Sequence, residues 1–253
     1  VIISIAQAQL YFLVFTRIMA TIIHVPVLGG QGIPNQVRIG LGLLLAAVLI
    51  PWQPLSADVQ SLSLLAFTIA IAKEIIIGTL AGFAADMVFG AAQIAAETMG
   101  LGSGFSSGRV FNPTFSESTS AFDQVFIMVA MMVFLLINGH HGFLLGLQRS
   151  FEILPVNGEI PFNSMEALLR TFAELVGTGV RIALPVMAAL FLTDLALGLL
   201  ARVAPQVQVF FLGLPLKVGV SLFAMGLLFM VIFPTLSNLY QSIGERMLYL
   251  LEN

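Results

Sequence analysis

Along most of this chain apolar residues follow one another without the two-residue alternation of a half-buried strand, and polar residues arrive singly rather than as faces. Gln124–Gln148 and Val218–Gly244 contain no Asp, Glu, Lys or Arg. Each exceeds the roughly 20 apolar residues with which a helix crosses about 30 Å of hydrocarbon. Ile39–Ala57 is also uncharged, but Pro51-Trp52-Gln53-Pro54 ends its helix, because the residue before a proline avoids the α region. The pattern predicts helices over about residues 1–23, 36–51, 59–98, 120–147, 164–203 and 214–251, the last of them broken. Pro185 and Pro234 fall within helical stretches and kink them by removing a backbone hydrogen bond. Connections dense in breakers (Pro26, Gly29, Gly30, Gly32 and Pro34; then Pro155, Asn157-Gly158 and Pro161) read as tight reversals between hairpin partners. The expected class is all-α: membrane-associated helical hairpins with kinked and broken helices.

Composition narrows the class further. The chain is 58% hydrophobic and 9% charged with mean hydropathy +1.02, against about 25% charge in soluble domains, which excludes a water-soluble monomer. Lys+Arg 10 against Asp+Glu 13 leaves a net charge of −3 and no basic footprint for nucleic acid. The absence of cysteine removes disulfides, thiolate catalysis, iron–sulfur clusters and cysteine-type zinc sites. Val1–Ile23 lacks a basic leading region and a small-residue cleavage site, so it reads as a helix rather than a cleavable signal. If the segments alternate across a bilayer, Arg38, Arg109 and Arg202 weakly place the odd loops on the cytoplasmic side.

Several apolar segments continue straight through ionisable residues: Arg17, Lys73, Glu74, Asp86, Glu97, Arg181, Asp194 and Arg202. A charge facing lipid at mid-bilayer costs at least about 2.5–3.5 kcal/mol, so such groups should face protein or water. Lys73 and Glu74 are adjacent and diverge around a helix. Three and four residues away, Asp86 meets only Gly82, Phe83, Phe89 and Gly90, and Arg181 only Gly177, Thr178, Leu184 and Pro185. Partners must therefore come from other helices or other subunits, or the side chains snorkel to an interface. Glu74, Gly78, Gly82, Asp86 and Gly90 form a four-residue ladder whose small members, Gly78 and Gly82 above all, allow another backbone to approach closely.

Between Met99 and Phe122 the composition changes to glycine, serine and phenylalanine, with Gly100, Gly102 and Gly104 at alternate positions and Asn112-Pro113 beyond them. The segment predicts a non-helical excursion. It has no lysine, which excludes a phosphate-binding loop of the Gly-Lys-Ser/Thr type. Two readings stay open: a solvent-exposed loop, or a movable apolar constriction of a pore. Asn138-Gly139-His140-His141-Gly142 holds the only histidine pair, whose adjacent members do not share a helix face as zinc-hydrolase histidines do; a turn or interface role is expected. Gly102-Ser103-Gly104 lacks the frame of a nucleophile elbow. A midplane ion site built from Asp194 with Arg181, or Glu74 with Lys73, would suit a conventional secondary transporter, and His140 or His141 an intramembrane hydrolase; the chain lacks inverted halves for the first and catalytic spacing for the second.

Taken in order, Arg17, Pro26, Gly29 and Ile33-Pro34-x-x-Val37-Arg38 resemble the N-terminal part of the FliR family, the R subunit of the flagellar type III export gate. So do Lys73-Glu74-x-x-x-Gly78-x-x-x-Gly82-Phe83, Asn112-Pro113, Asn138-Gly139-His140, Ser150-Phe151 with Leu154-Pro155, Ala183-Leu184-Pro185, Gly198 through Gln206, and Leu214-Pro215-Leu216-Lys217. The likeness covers nearly the whole chain and extends to the T subunit of virulence type III systems. It implies one non-enzymatic export-gate domain: N-terminal hairpins at 1–98, a plug loop at 99–122 and C-terminal hairpins at 123–253. It also implies a place in the bacterial inner membrane, at the flagellar basal body, beside P and Q subunits, the B subunit and the large A-type export subunit. Membrane lipid and unfolded export substrates are the other expected partners, with no cofactor, metal or catalytic residue. By position, Phe105, Arg109, Phe111, Asn112 and Phe115 take the plug role, and the charged residues named above, apart from Arg17, pair between helices or subunits.

Overall fold

The computed structural model describes residues 4–30, 32–49, 62–105, 120–159, 164–206 and 208–252. They form nine helices and no strand: α1 (Ile5–His24), α2 (Pro26–Gly29), α3 (Asn35–Leu49), α4 (Leu64–Gly102), α5 (Ala121–Leu136), α6 (Gly139–Ile153), α7 (Ser164–Val203), α8 (Val209–Gln241) and α9 (Ile243–Glu252). Among these residues four helical stretches are long and apolar enough to cross a membrane. The chain is an all-α membrane-associated protein.

Local chemistry sets the boundaries. Ser4 opens α1 and Ser120 opens α5, each with a reciprocal box in which the serine hydroxyl accepts from the third helical N–H while Gln7 or Asp123 accepts from the serine N–H. α1 stops at Val25 because Pro26 follows, and Pro26 then starts α2 at a position where its missing N–H costs nothing. Pro185 lies inside α7, and Pro215 and Pro234 inside α8, so each helix continues past a missing donor.

α4 starts at Leu64 rather than 59, α6 ends at Ile153 rather than 147 and α8 starts at Val209 rather than 214; three further points are informative. The segment expected as one helix over 120–147 is two, broken at Ile137-Asn138, where Asn138 takes φ 56°, a left-handed conformation that asparagine tolerates. The break expected in the last helix falls at Ser242. α4 runs on to Gly102, three residues into the segment read as non-helical. There Gly100 is a packing position, since a Cβ would overlap the Asp123 carboxylate, and Gly104, at φ 85°, is the glycine that turns the chain. The ends expected at Pro51–Pro54 and Pro161 lie outside the described residues.

The chain divides into two compact units, residues 1–89, 139–172 and 241–253 in one and 90–138 and 173–240 in the other. In the first, α1 packs on α3, where Gly42 admits Met19 and Phe15 and the Tyr11 hydroxyl donates to the Leu43 carbonyl at 2.8 Å. α6 packs on α9 at a glycine crossing: a Cβ on Gly146 would stand 2.9 Å from the Gly244 Cα. The amphipathic α9 buries Ile243, Met247, Leu250 and Leu251. In the second unit Phe126 stacks on Phe229 and Phe134 meets Tyr240 edge-on, with centroids 5.9 and 5.4 Å apart. Gly179 receives the α4 backbone there, a Cβ standing 2.6 Å from the Ala91 carbonyl oxygen.

Candidate functional site

Buried charge is concentrated in the first unit. Arg17 on α1 and Glu74 on α4 are both wholly inaccessible to solvent and form an ion pair, Nε to Oε2 at 2.5 Å and Nη2 to Oε1 at 3.2 Å. The remaining guanidinium N–H groups donate to the carbonyls of Ser150 (3.1 Å), Leu154 (2.7 Å) and Pro155 (3.4 Å), where α6 runs out. All five donors are thus occupied. Glu74 Oε1 also accepts from the Asn157 N–H at 2.7 Å, and Asn157 holds a left-handed φ of 64° in the following turn. The Phe151 ring lies under the guanidinium, 4.3 Å from its centroid.

The glycine ladder makes this cluster reachable. A Cβ on Gly78 would stand 2.6 Å from the Arg17 carbonyl oxygen and 2.7 Å from Ala20 Cβ, and one on Gly82 would stand 2.7 Å from the Thr21 carbonyl oxygen. α1 therefore lies directly against the backbone of α4, which brings two oppositely charged side chains within one hydrogen bond. His24 Cβ faces Gly82, one turn before Asp86. Gly90, the last rung, faces open space.

In the second unit Asp194 on α7 pairs with Lys217 on α8 at 2.6 Å, with the carboxylate half exposed. The root of the Gly/Phe-rich segment sits in the same unit. Gly102 lies against Leu190 and Met187, Gly104 against Leu214 and the Lys217 side chain, and Phe105 packs on Phe122 with centroids 5.9 Å apart. Ser103 is buried, its hydroxyl donating to the Gly100 carbonyl at 2.7 Å and accepting from the Phe105 N–H. Arg109, Phe111, Asn112 and Phe115 lie outside the described residues.

The charge pairs differ from those that a midplane ion site would use: Glu74 takes Arg17 rather than Lys73, and Asp194 takes Lys217 rather than Arg181. Among the described residues Lys73, Glu97, Arg181 and Arg202 make no ion pair, and all four side chains reach the surface. The His140 and His141 rings meet tilted at 36° with centroids 4.3 Å apart, and among the described residues no group of histidine, aspartate and glutamate side chains could hold a metal ion. Spacing along one helix could not reveal the Arg17 cluster, because its members come from α1, α4 and the end of α6. The only sequence signals were an arginine inside an apolar helix and a glycine ladder headed by a carboxylate.

Residues 8–243 match the family model described as bacterial export proteins, family 1. The chain is 32% identical to the flagellar biosynthetic protein FliR of Escherichia coli (strain K12), over 93% of this chain and 90% of that one. It is 33% identical to the protein of that name from Bacillus subtilis (strain 168), over 95% and 94%. The secretion system apparatus protein SsaT of Salmonella typhimurium is 33% identical over 58% of each chain.

Proposed function

The chain belongs to the bacterial export proteins, family 1, and we propose that it is a non-enzymatic core subunit of a flagellar type III export gate in the bacterial cytoplasmic membrane. In this reading it closes one seam of a channel built with P and Q subunits, near the B subunit and the large A-type subunit, and its Gly/Phe-rich loop plugs the lumen until an unfolded substrate displaces it. The observation that carries the reading is the outward charge. Lys73, Glu97 and Arg202 reach the surface of long apolar helices without an ion-pair partner among the described residues, as positions facing companion polypeptides would. The flagellar branch is favoured over the virulence branch because the likeness to the FliR proteins extends over more of the chain than the likeness to SsaT.

The described root of the loop is packed: Gly104 lies against Leu214 and Lys217, Phe105 against Phe122, and glycine at φ 85° supplies the change of direction. A hydrophobic constriction impedes ions by dewetting, which suits the phenylalanines beyond the root. Nothing in this mechanism requires a nucleotide or metal on this chain, so the driving energy enters through other components. The test is ion leak in cells carrying a deletion of residues 104–114. Raised leak is expected; unchanged leak with an assembled gate refutes the plug. Mass measurement of the intact complex co-purified from membranes tests the partners, and extraction of the chain from its native membrane with no companion polypeptide attached refutes the seam.

A further inference from the structure

The second unit contains a groove of about 410 Å³ between α7 and α8. Its walls are Ile182 and Pro185 on one side and Leu228, Val231 and Ile232 on the other, and its polar margin is Arg181 with Thr178 and Thr235. Among the described residues Arg181, which is exposed, makes no ion pair, and Thr235, also exposed, has a hydroxyl engaged in no hydrogen bond. The Thr178 hydroxyl is already committed as a donor to the Glu174 carbonyl at 2.8 Å. The free donors are therefore a guanidinium and one hydroxyl, both at the mouth of an aliphatic trough.

We propose that this groove seats one anionic phospholipid, its phosphate on Arg181 and Thr235 and an acyl chain against Ile182, Pro185, Leu228 and Ile232. Charge complementarity selects an anion, and a guanidinium grips phosphate oxygens in pairs. The aliphatic walls require that the anion carry an apolar tail. A helix, about 10 Å across, could lay only side chains into an open trough of this size and not its body. A flexible hydrocarbon chain fits lengthwise.

The test uses the export complex purified in detergent, stripped of lipid and returned to dioleoyl phosphatidylglycerol or dioleoylglycerol, with retained adducts weighed by native mass spectrometry. Phosphatidylglycerol should be held about tenfold better than the uncharged diacylglycerol, the size of one charge-assisted contact. Arg181→Gln should abolish that preference. Val231→Trp, at an exposed position on the wall, should keep the arginine yet reduce occupancy by obstructing the tail. Equal retention of the two lipids, or retention indifferent to both substitutions, overturns the proposal. Displacement by excess inorganic phosphate would overturn the acyl-chain part, leaving a bare anion site. A carbodiimide cross-link from Arg181→Lys to a carboxylate of a companion subunit would identify that side chain as the occupant and overturn it as well.

Discussion

Replacing Arg17 by alanine removes every partner of Glu74 except the Asn157 N–H and strips a donor from the carbonyls of Ser150, Leu154 and Pro155. Both charged side chains have no solvent access, so water cannot replace what is lost without opening the interface between α1 and α4. Breaking a buried pair from one side costs about 3–5 kcal/mol, because it strands the other charge. For a chain of this length, about 2–4 °C per kcal/mol makes that a fall of roughly 6–20 °C in Tm. Glu74→Gln should fall in the lower part of that range, since its amide carbonyl can still accept from Nη2 and Asn157 while its NH₂ meets the Arg17 Nε–H donor to donor. The paired apolar replacement Arg17→Met with Glu74→Leu should lose less than Arg17→Ala alone, because it strands no charge. The assay is thermal unfolding of the detergent-purified chain, followed by protease resistance and intrinsic fluorescence in parallel. A shift smaller than about 3 °C for Arg17→Ala, or a double variant as unstable as the sum of the singles, would refute the reasoning.

Three other measurements separate packing from charge. Gly78→Ala should destabilise by about 1–3 kcal/mol, because its Cβ meets backbone atoms of Arg17, whereas Gly90→Ala, in open space on the same helix, should stabilise the isolated chain by up to about 1 kcal/mol; the two shifting melting in the same direction would remove the close crossing. Gly104→Ala forces a Cβ into φ 85° and should cost about 1–2 kcal/mol with no new contact to explain it, read as faster protease cleavage beside the loop root; unchanged cleavage would mean the turn does not need glycine. Asp194→Asn and Lys217→Ala should each cost at most about 1 kcal/mol, the pair being partly exposed, and exchange of the two charges should recover much of it; additive losses on exchange would show that the pair contributes nothing by itself.

The helices were legible because long uncharged runs and flanking prolines leave little choice of element, and the family was legible because separated short matches occur in one order along the chain. The breaks were harder to place. Asn138-Gly139 interrupts a run with no charge at all, so hydropathy carries straight across it, and only the left-handed tolerance of asparagine marks the turn. Gly100 misled for the opposite reason: in composition it belongs to the glycine-rich loop, yet it is helical and small because the Asp123 carboxylate fills the space of its side chain. Charge partners were the least legible feature. A formal charge in an apolar helix announces that a partner exists without saying which helix brings it, and the partners of Arg17 include three backbone carbonyls that carry no sequence signature.

Two sets of ionisable residues in the apolar helices have different physical roles. Arg17 with Glu74, and Asp194 with Lys217, are neutralised within a single compact unit, so they hold helix to helix whatever surrounds the chain. Lys73, Glu97 and Arg202 have no ion-pair partner among the described residues, and each stands at the surface of an apolar stretch. If lipid tails covered that whole surface, every member of the second set would carry an insertion cost of at least about 2.5 kcal/mol with no return. Substitution separates the two sets. An uncharged side chain at the first should damage the isolated chain, while one at Lys73 or Glu97 should leave its melting unchanged and weaken only its retention in the export complex.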